Sequence, residues 1–397
     1  MGKPALEVAN IFRIYGPAYR KAYGHAMSSV QRRVMRAIES CRTAVLGGHV
    51  DQCDRCGHQR ISYNSCANRH CNKCQSLARA KWLAKHRAQL LPVPYFHVVF
   101  TVADPMAAIA LQNKKVVYSI LFRAAAAALR AIAADPKHLG ANIGFLAVLH
   151  TWGQNLQHPH LHCVVPGGGL SPDGRRWIAC RNGFFLSVRV LSRLFRGLFL
   201  HGLEDAYAAG KLKFHGSLQP LADPENFKTR VRSCRKTEWV VYSKPPFGGP
   251  DQVLDYLGRY THRVAISNDR LVRLEDAKVT FRWKDYRKGN KSKRMTLEAE
   301  EFIRRFLLHV LPAGFVRIRH FGLLANRHRE TNLALCRQLL GVPQVRPLQS
   351  STPDACKALY ETLAGEFLTL CPACRQGRMV TIEILSPQKL SQGIDSS

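Results

Sequence analysis

The stretch His158-Pro159-His160-Leu161-His162-Cys163-Val164-Val165 places a histidine at every second position and continues into an apolar run. Successive side chains of a β-strand point to opposite faces of the sheet, so the three histidines share one face if the stretch is extended. Two imidazoles two residues apart on a strand can hold a metal ion and leave its other coordination positions open to substrate. We therefore predict a metal-binding strand at this point of the chain.

A third ligand is expected on a neighbouring element, and two histidines compete for that role. The run Gly144 to Trp152 is a strand candidate, and a symmetric hairpin about Leu156 would place His150 opposite His162. The Cβ atoms of such cross-strand neighbours lie about 5 Å apart. This register favours His150 as the third ligand and leaves His158 as the alternative.

A second group of reactive side chains follows downstream, in the stretch Asp255-Tyr256-Leu257-Gly258-Arg259-Tyr260. On a helix, residues four apart lie on one face, so Tyr256 and Tyr260 present their phenols together. Tyrosine pairs at this spacing more often pack than react, but Arg259 adds a guanidinium suited to phosphate. The stretch is a candidate pair of nucleophiles beside a phosphate-binding cation.

The overall charge narrows the class of partner. The chain has 397 residues, with 59 Lys and Arg against 27 Asp and Glu, which leaves a formal net charge of +32. Apolar residues make up 46% and charged residues 22%, as in a folded protein, and the length suits about two to three domains. A surplus of this size indicates a polyanionic partner, of which nucleic acid is the commonest.

Targeting signals are not evident in the sequence. The most apolar stretch, Phe122 to Ala134, is short and interrupted by Arg123 and Arg130, so we expect no membrane span. The first residues lack the apolar core of a secretory signal, and Leu6 stands where a myristoylation signal requires Ser or Thr. We expect a cytoplasmic protein.

Cysteine spacing predicts a structural metal site near the N-terminus. Cys53 and Cys56, then Cys71 and Cys74, form two C-x2-C turns at the separation of a zinc ribbon, and each turn supplies two thiolates to one tetrahedral ion. Four thiolates leave no open position, so such a zinc ion is structural and not catalytic. Cations around the turns indicate a module that contacts DNA: Arg55, Arg60, Arg69 and Lys73.

Cysteines outside these two turns follow weaker patterns. Cys66 and His70 lie between the turns and could replace one ligand or help to bind a second ion. Cys371 and Cys374 form half of a zinc knuckle with no evident partner pair. Most of the other cysteines are interpreted as small buried apolar residues; these others are Cys41, Cys163, Cys180, Cys234, Cys336 and Cys356.

A basic segment downstream is a candidate nucleic-acid surface. Between Phe281 and Arg294 the one acid, Asp285, stands against seven cations, and Phe281, Trp283 and Tyr286 are interleaved with them. Cations can follow a DNA backbone while aromatic rings stack on bases, which suits a single strand. The alternative is a solvated basic loop whose aromatic rings belong to the core. The cations are Arg282, Lys284, Arg287, Lys288, Lys291, Lys293 and Arg294.

Taken together, these motifs resemble one family. His160-Leu161-His162 resembles the His-hydrophobic-His motif of the HUH nuclease superfamily, and Tyr256-x3-Tyr260 resembles the paired tyrosines of its two-tyrosine members. With a cysteine-rich module in front, the chain is similar to rolling-circle insertion-sequence transposases. Their characteristic blocks are matched, in order, by 150–169, 256–268 and 320–329.

The mixture of strand and helix candidates predicts an α+β fold. The resemblance implies an HUH-type nuclease core, with an antiparallel sheet flanked by helices, preceded by a helical, zinc-ribbon-like N-terminal module. We accordingly predict three domains. Residues 1–92 form the zinc-binding, DNA-contacting module, 93–325 the two-tyrosine nuclease core with the basic hairpin, and 326–397 a helical C-terminal tail with its C-x2-C pair.

The resemblance also implies a chemistry. A tyrosine, Tyr256 or Tyr260, attacks a phosphodiester and leaves a 5′-phosphotyrosine link and a free 3′-hydroxyl, and the second tyrosine permits a further strand transfer. Arg259 is expected to clamp the phosphate. A divalent ion, Mg²⁺ or Mn²⁺, polarises the phosphate and is held by His160, His162 and His150.

The implied function is that of a transposase acting on single-stranded element ends in the bacterial cytosol, associated with the nucleoid. The chain has no GxxxxGK[ST] loop, so we expect any helicase to be a host partner. Two other functions fit part of the pattern. A plasmid replication initiator or relaxase would use the same nicking chemistry. A non-catalytic, zinc-stabilised DNA-binding regulator would leave the histidine strand and the paired tyrosines without a role.

Overall fold

The computed structural model describes residues 6–87, 89–151, 158–181, 183, 185–244, 252–253, 258, 266–285, 291–344 and 370–388. Its helices are α1 (Val8–Tyr23), α2 (Ser29–Ser40), α3 (Asn72–Arg87), α4 (Asp104–Gln112), α5 (Lys114–Ala134), α6 (Val188–Ala208), α7 (Pro224–Lys236), α8 (Ala299–Leu308) and α9 (Arg329–Leu339). Its strands are β1 (Gly48–Cys53), β2 (Gln59–Tyr63), β3 (Tyr95–Thr101), β4 (Gly144–His150), β5 (His160–Pro166), β6 (Gly168–Leu170), β7 (Trp177–Ala179), β8 (Val241–Lys244), β9 (Leu271–Glu275), β10 (Lys278–Asp285), β11 (Lys291–Glu298), β12 (Ile318–Gly322) and β13 (Met379–Leu385). Helices combined with antiparallel sheets confirm the predicted α+β class.

Two compact units are formed, each from separated stretches of the chain. One unit takes in 1–84, 262–310 and 349–397, and the other takes in 85–261 and 311–348. The three predicted domains, in contrast, are consecutive stretches of the chain. This domain division stays a prediction. The range predicted as a helical tail contains the helix α9 and the strand β13.

A five-stranded antiparallel sheet, in the order β12-β4-β5-β3-β8, forms the centre of the second unit. Its inner strands are almost wholly apolar and are buried along most of their length. One face of the sheet contributes Phe100, Phe145 and Leu161 to a core shared with α5 and α6. The ring centroids of Phe100 and Phe195 on α6, for example, lie 4.9 Å apart. Because strand side chains alternate between faces, the histidines of the inner strands lie on the opposite face of the sheet.

Helix α5 is long and apolar enough, by length and composition alone, to pass for a membrane span, although Arg123 and Arg130 interrupt it. Of its most apolar window, 67% is buried inside the protein. Its side chains Leu121, Phe122 and Leu129 belong to the core of the second unit. The composition of α5 is thus that of a core helix.

The first unit contains two three-stranded sheets and a small helical core. One sheet has the order β13-β1-β2 and the other has the order β11-β10-β9. Helix α1 packs against α2 and α8, and the rings of Phe12 and Phe306 meet edge to face with centroids 5.1 Å apart. Strand β1 therefore has two partners, the neighbouring β2 and a strand from the far end of the chain.

Strand β12 lies at the edge of the five-stranded sheet and pairs with β4, the strand that ends in His150. This pairing places Gly322 opposite Gly144, and Gly322 has a left-handed φ of +59°. A Cβ atom at Gly322 would overlap the carbonyl oxygen of Ile143. Close approach of the two backbones therefore requires glycine at this position.

We expect Gly322→Ala to lower the free energy of unfolding by more than about 2 kcal/mol, because the added carbon meets both an unfavourable φ and the Ile143 backbone. Gly174→Ala is the matched control, since its φ is +70° but no atom lies within 4 Å of the position of a Cβ. The control should lose about 1 kcal/mol. Urea unfolding followed by circular dichroism measures both losses, and equal losses would show that the approach of β12 to β4 is not the constraint.

Candidate functional site

Three histidine side chains converge on the face of the sheet opposite the apolar core. His150 ends β4, while His160 and His162 lie on β5, and one ligand atom from each lies within 4.8 Å of the others. The ring centroids of His150 and His162 are 4.5 Å apart, and those of His160 and His162 are 4.8 Å apart. His150 and His162 are buried, and His160 is partly covered. We call this group the histidine cluster.

The pairing register differs from the predicted one by two residues. His150 lies opposite His160, and Val148 lies opposite His162. The hairpin predicted about Leu156 would have placed His150 opposite His162, so that register was wrong. Side chains alternate faces with a period of two, and a shift of two residues therefore keeps His150 on the same face as the histidines of β5.

His158, the alternative third ligand, lies outside the histidine cluster. Its Nδ1 is 3.2 Å from Oδ1 of Asp104, at the start of α4. Its carbonyl oxygen accepts a hydrogen bond of 2.6 Å from Nδ1 of His160. The structure thus brings His150, and not His158, together with the pair on β5, and the backbone of His158 orients the ring of His160.

A fourth histidine, His97 on β3, contacts the histidine cluster from the other side of β5. Its Nε2 lies 2.8 Å from Nδ1 of His162, and the two rings are nearly parallel, with an interplanar angle of 4°. Sequence reasoning missed this residue. The available signal was one polar residue within the apolar strand Tyr-Phe-His-Val-Val-Phe-Thr, at a position whose side chain faces away from the core.

The electrostatics of the histidine cluster favour neutral imidazoles. Burial lowers the pKa of His160 to about 4. Burial, and then repulsion from His150, lowers the pKa of His162 well below its ordinary value. In His160 and in His162 the Nδ1 atom is engaged in a hydrogen bond, so each of these two rings would bind a metal through Nε2. His160 and His162, whose lowered pKa values keep them neutral, form with His150 a set of three imidazoles that fits a divalent ion with open coordination positions.

The predicted nucleophiles, Tyr256 and Tyr260, and the predicted phosphate clamp, Arg259, lie outside the described residues. Nearby, residues 252–253 and 258 are helical, and Val253 and Gly258 are buried. The roles of the two tyrosines and the arginine stay predictions.

The cysteines of the first unit form two groups of four, where the spacing had predicted one. The N-terminal cluster consists of Cys41, Cys66, Cys71 and Cys74, and the split cluster consists of Cys53, Cys56, Cys371 and Cys374. In each group the Sγ atoms lie within 4.8 Å of one another. The predicted single site of Cys53, Cys56, Cys71 and Cys74 is wrong. Cys53 and Cys56 lie at the end of strand β1, whereas Cys71 and Cys74 lie at the start of helix α3, and each pair belongs to a different group.

For two residues, Cys41 and His70, the structure differs from the interpretation based on the sequence. Cys41, taken for a small buried apolar residue, lies 3.6 Å from Cys74 between Sγ atoms, and Cys66 lies at the same distance from Cys74. His70 is buried but belongs to neither group, and its Nδ1 lies 3.3 Å from Oδ1 of Asn68. A lone cysteine carries no spacing signal, which is why Cys41 was missed.

Hydrogen bonds among the thiols separate their acidities. The hydrogen bond with Cys41, followed by those with Cys66 and Cys71, lowers the pKa of Cys74. Hydrogen bonding with Cys41 raises the pKa values of Cys66 and Cys71. Hydrogen bonding with Cys66 lowers the pKa of Cys41 to about 7. Ionisation is therefore favoured at two of the four thiols and opposed at the other two, and a divalent cation would stabilise all four as thiolates, as in a structural zinc site.

The basic segment forms the hairpin of β10 and β11. Arg282 lies opposite Arg294, and Trp283 lies opposite Lys293, with the Lys293 Nζ 5.6 Å from the Trp283 ring centroid. These two cross-strand pairs point to opposite faces of the hairpin because strand side chains alternate. Like charges placed opposite each other repel, and a phosphate bound between Arg282 and Arg294 would relieve that repulsion.

The predicted surface residues of the hairpin divide into three sets. Lys291, Lys293 and Arg294 are exposed, and Arg282 is exposed but donates from Nη2 to the carbonyl oxygen of Asp269 at 2.6 Å. Phe281 is buried against Phe302, so this ring belongs to the core, as the alternative interpretation had it. Lys284 lies on β10, whereas Arg287, Lys288 and Tyr286 lie outside the described residues.

Comparison with known proteins identifies two family models along the chain. A model described as "Putative transposase" matches residues 144–332, which include the histidine cluster. A model described as "Transposase zinc-binding domain" matches residues 11–102, which include the N-terminal cluster and half of the split cluster.

Two curated relatives carry the same kind of name. The chain is 63% identical over 385 residues to "Putative transposase y4qJ" of Sinorhizobium fredii (strain NBRC 101917 / NGR234), which covers 97% of this chain and 96% of the relative. It is 27% identical over 355 residues to "Transposase for insertion sequence element IS801" of Pseudomonas savastanoi pv. phaseolicola, which covers 87% of this chain and 81% of the relative. No solved structure gives a significant match.

The N-terminal cluster generates a prediction for Cys41. We expect Cys41→Ser to lose one zinc ion per chain on dialysis against a chelator that leaves the unmodified protein loaded, because one of four thiolates is gone. Cys180→Ser, outside both clusters, is the control and should keep its zinc. Elemental analysis of the purified proteins measures the content, and an unchanged content in Cys41→Ser would remove this residue from the ligand set.

Proposed function

Because this chain belongs to the insertion-sequence transposase family that includes the IS801 transposase, we propose that it moves DNA by cutting and rejoining single strands through a covalent link to tyrosine. It is a transposase, and it shares the family's zinc-binding domain. The observation that carries the finer mechanism is the histidine cluster, in which imidazoles on two paired strands face away from the core.

In this proposal His150, His160 and His162 hold a divalent ion, Mg²⁺ or Mn²⁺. Bound there, the ion would polarise a phosphate oxygen and favour departure of the 3′-oxygen. The protein contributes the orientation of the rings. We assign Nδ1 of His162 as the donor to Nε2 of His97, and Nδ1 of His160 donates to the carbonyl oxygen of His158, so that the Nε2 atoms of His160 and His162 would face the ion.

Tyr256 or Tyr260 supplies the nucleophile. The phenol releases its proton to solvent, its oxygen bonds to phosphorus, and the bond between phosphorus and the 3′-oxygen breaks. The 3′-oxygen takes up a proton, and the 5′ end stays attached to the tyrosine. Rejoining reverses these steps: a 3′-hydroxyl attacks the phosphotyrosine and the phenol is regained. One ester replaces another, so no ATP is consumed.

Two tyrosines permit successive strand transfers, since one can hold a DNA end while the other attacks a second phosphate. Arg259 is assigned to clamp the phosphate during these steps. The single strand is bound by the basic hairpin, where Lys291, Lys293 and Arg294 are exposed and Trp283 offers part of its ring. Binding by many cations should weaken steeply with salt.

The named relatives favour this function over its rivals. A replication initiator or relaxase would share the nicking chemistry, but both curated relatives are named as transposases. A non-catalytic regulator would leave the histidine cluster idle. We further propose that the transposase works in the bacterial cytosol, associated with the nucleoid, and receives single-stranded element ends from a host helicase.

The tyrosine assignment is tested by a double substitution, Tyr256→Phe with Tyr260→Phe. We expect it to abolish the covalent protein–DNA adduct, because phenylalanine lacks the attacking oxygen, and to leave DNA binding within about twofold. The protein is incubated with single-stranded DNA and Mn²⁺ and then run on a denaturing gel. Tyr207→Phe is the control, since the Tyr207 hydroxyl donates to the carbonyl oxygen of Ala222 at 2.7 Å and the residue lies outside the predicted nucleophile pair. An adduct retained by the double variant would refute the assignment.

The orienting role of His97 gives a second prediction. His97→Phe should weaken Mn²⁺ binding by roughly 10–100-fold, because His162 loses the acceptor that fixes its ring. His97→Gln places an oxygen near the position of Nε2 and should recover most of the affinity. Isothermal titration of the full-length variants measures binding without reference to activity. Equal affinities for the Phe and Gln variants would show that the hydrogen bond does not orient the ligand.

A further inference from the structure

The split cluster has the dimensions of a tetrahedral four-thiolate site. The Sγ atoms of Cys53 and Cys374 are 3.7 Å apart, and those of Cys56 and Cys371 are 3.6 Å apart. With Zn–S bonds of about 2.3 Å, the edge of a regular tetrahedron is about 3.8 Å. The four sulfur atoms are therefore already at the spacing that one zinc ion requires.

The two C-x2-C turns of the split cluster repeat one backbone design. In the first turn the amide of Gly57 donates to the carbonyl of Cys53, and in the second the amide of Arg375 donates to the carbonyl of Cys371, at 3.2 and 3.0 Å. Gly57 and Arg375 both have left-handed φ values, +71° and +55°. Since a non-glycine residue seldom adopts such a φ, its recurrence marks the second turn as a counterpart of the first.

Backbone amides also point at the sulfur atoms. Arg55 donates its amide to Sγ of Cys53 at 3.4 Å, and Gly377 donates its amide to Sγ of Cys374 at 3.3 Å. A Cβ atom on Gly377 would overlap the sulfur of Cys53, so the two turns approach as closely as glycine allows. Amide donors of this kind favour thiolates over thiols.

Strand β13 is held by backbone pairing with β1 and by a few polar contacts, such as the 2.8 Å hydrogen bond from Thr381 Oγ1 to Asp51 Oδ1, and it buries few apolar side chains. It pairs with β1 from Gly48–Leu385 to Cys53–Met379, but Val380, Ile382 and Ile384 on it are exposed. Among the described residues, a small buried apolar cluster beside it consists of Cys53, Cys371 and Met379, with Cys374 packed against them. Burial of so few apolar side chains cannot order a strand by itself, because ordering costs about 1–2 kcal/mol per residue in backbone entropy.

We propose that Cys53, Cys56, Cys371 and Cys374 bind a second structural zinc ion, separate from the ion of the N-terminal cluster, which fastens β13 to β1. Four thiolates select zinc over harder ions and leave no position for substrate. The matched zinc-binding family model ends at residue 102 and holds only the first two of these ligands. The second zinc therefore makes the C-terminal end of the chain part of the zinc-binding module.

The full-length protein tests this proposal first by its metal content. We expect native mass spectrometry to find two zinc ions per chain. The double variant Cys371→Ser, Cys374→Ser should hold one ion, and so should Cys53→Ser, Cys56→Ser, because each removes two of the four ligands. The double variant Cys180→Ser, Cys336→Ala is the matched control, because it changes two cysteines outside both clusters. It should hold two zinc ions per chain.

The fastening of β13 needs its own measurement. Trypsin should cut the Cys371→Ser, Cys374→Ser variant after Arg375 or Arg378 at least tenfold faster than the zinc-loaded protein, whereas the control pair should match the unmodified protein. Co²⁺ substitution of the unmodified chain gives evidence that does not depend on a variant folding, because two tetrahedral four-thiolate sites absorb twice as strongly as one. One zinc ion in the unmodified chain, iron in place of the second zinc, or two ions in the Cys371→Ser, Cys374→Ser variant would overturn the proposal.

Discussion

The antiparallel pairing of β4 with β5 is the constraint on which the histidine cluster depends. On one face of this pair, Phe145, Leu149 and Leu161 are buried against helices. That burial fixes which face the alternate residues occupy, since slipping the pairing by one position would bring histidines into the core and apolar side chains out of it. The imidazoles are thus positioned by the apolar residues between them.

Burying several imidazoles in one place has an electrostatic cost, which lowers the pKa of His160 and of His162. Desolvation opposes the charged form, and each ring would repel its charged neighbours. The surrounding acceptors, a backbone carbonyl and a further imidazole, then decide which nitrogen carries the proton. Imidazoles that cannot easily take up protons are suited to binding a cation, which supports the proposed divalent ion at this site.

Much of the histidine cluster could be predicted because strand periodicity is local: alternate histidines share a face whatever the rest of the chain does. The exact register could not be, since it depends on a connection whose length the sequence does not fix. For His150 this error had no consequence, because a shift of two preserves the face. For the family and the α+β class, the motifs were sufficient.

The cysteines show where such inference ends. A C-x2-C turn indicates that its two cysteines bind the same ion, but it does not indicate which other pair of cysteines completes the site. Cys71 and Cys74 are the nearer pair in sequence to Cys53 and Cys56, yet the split cluster uses Cys371 and Cys374. The choice is made by strand pairing between β1 and β13, a contact between residues far apart along the chain. Similarly, α5 has the composition of a membrane helix, and only its packing in the core explains that composition.

The position of β1 between β2 and β13 also orders events in time. A polypeptide leaves the ribosome N-terminus first, and at roughly 5–20 residues per second the span from β1 to β13 takes on the order of tens of seconds to synthesise. Throughout that interval the nascent chain carries β1 with one edge unpaired. Only a polypeptide that extends to Leu385 can complete this sheet, so a truncation before Met379 would leave one edge of β1 unpaired.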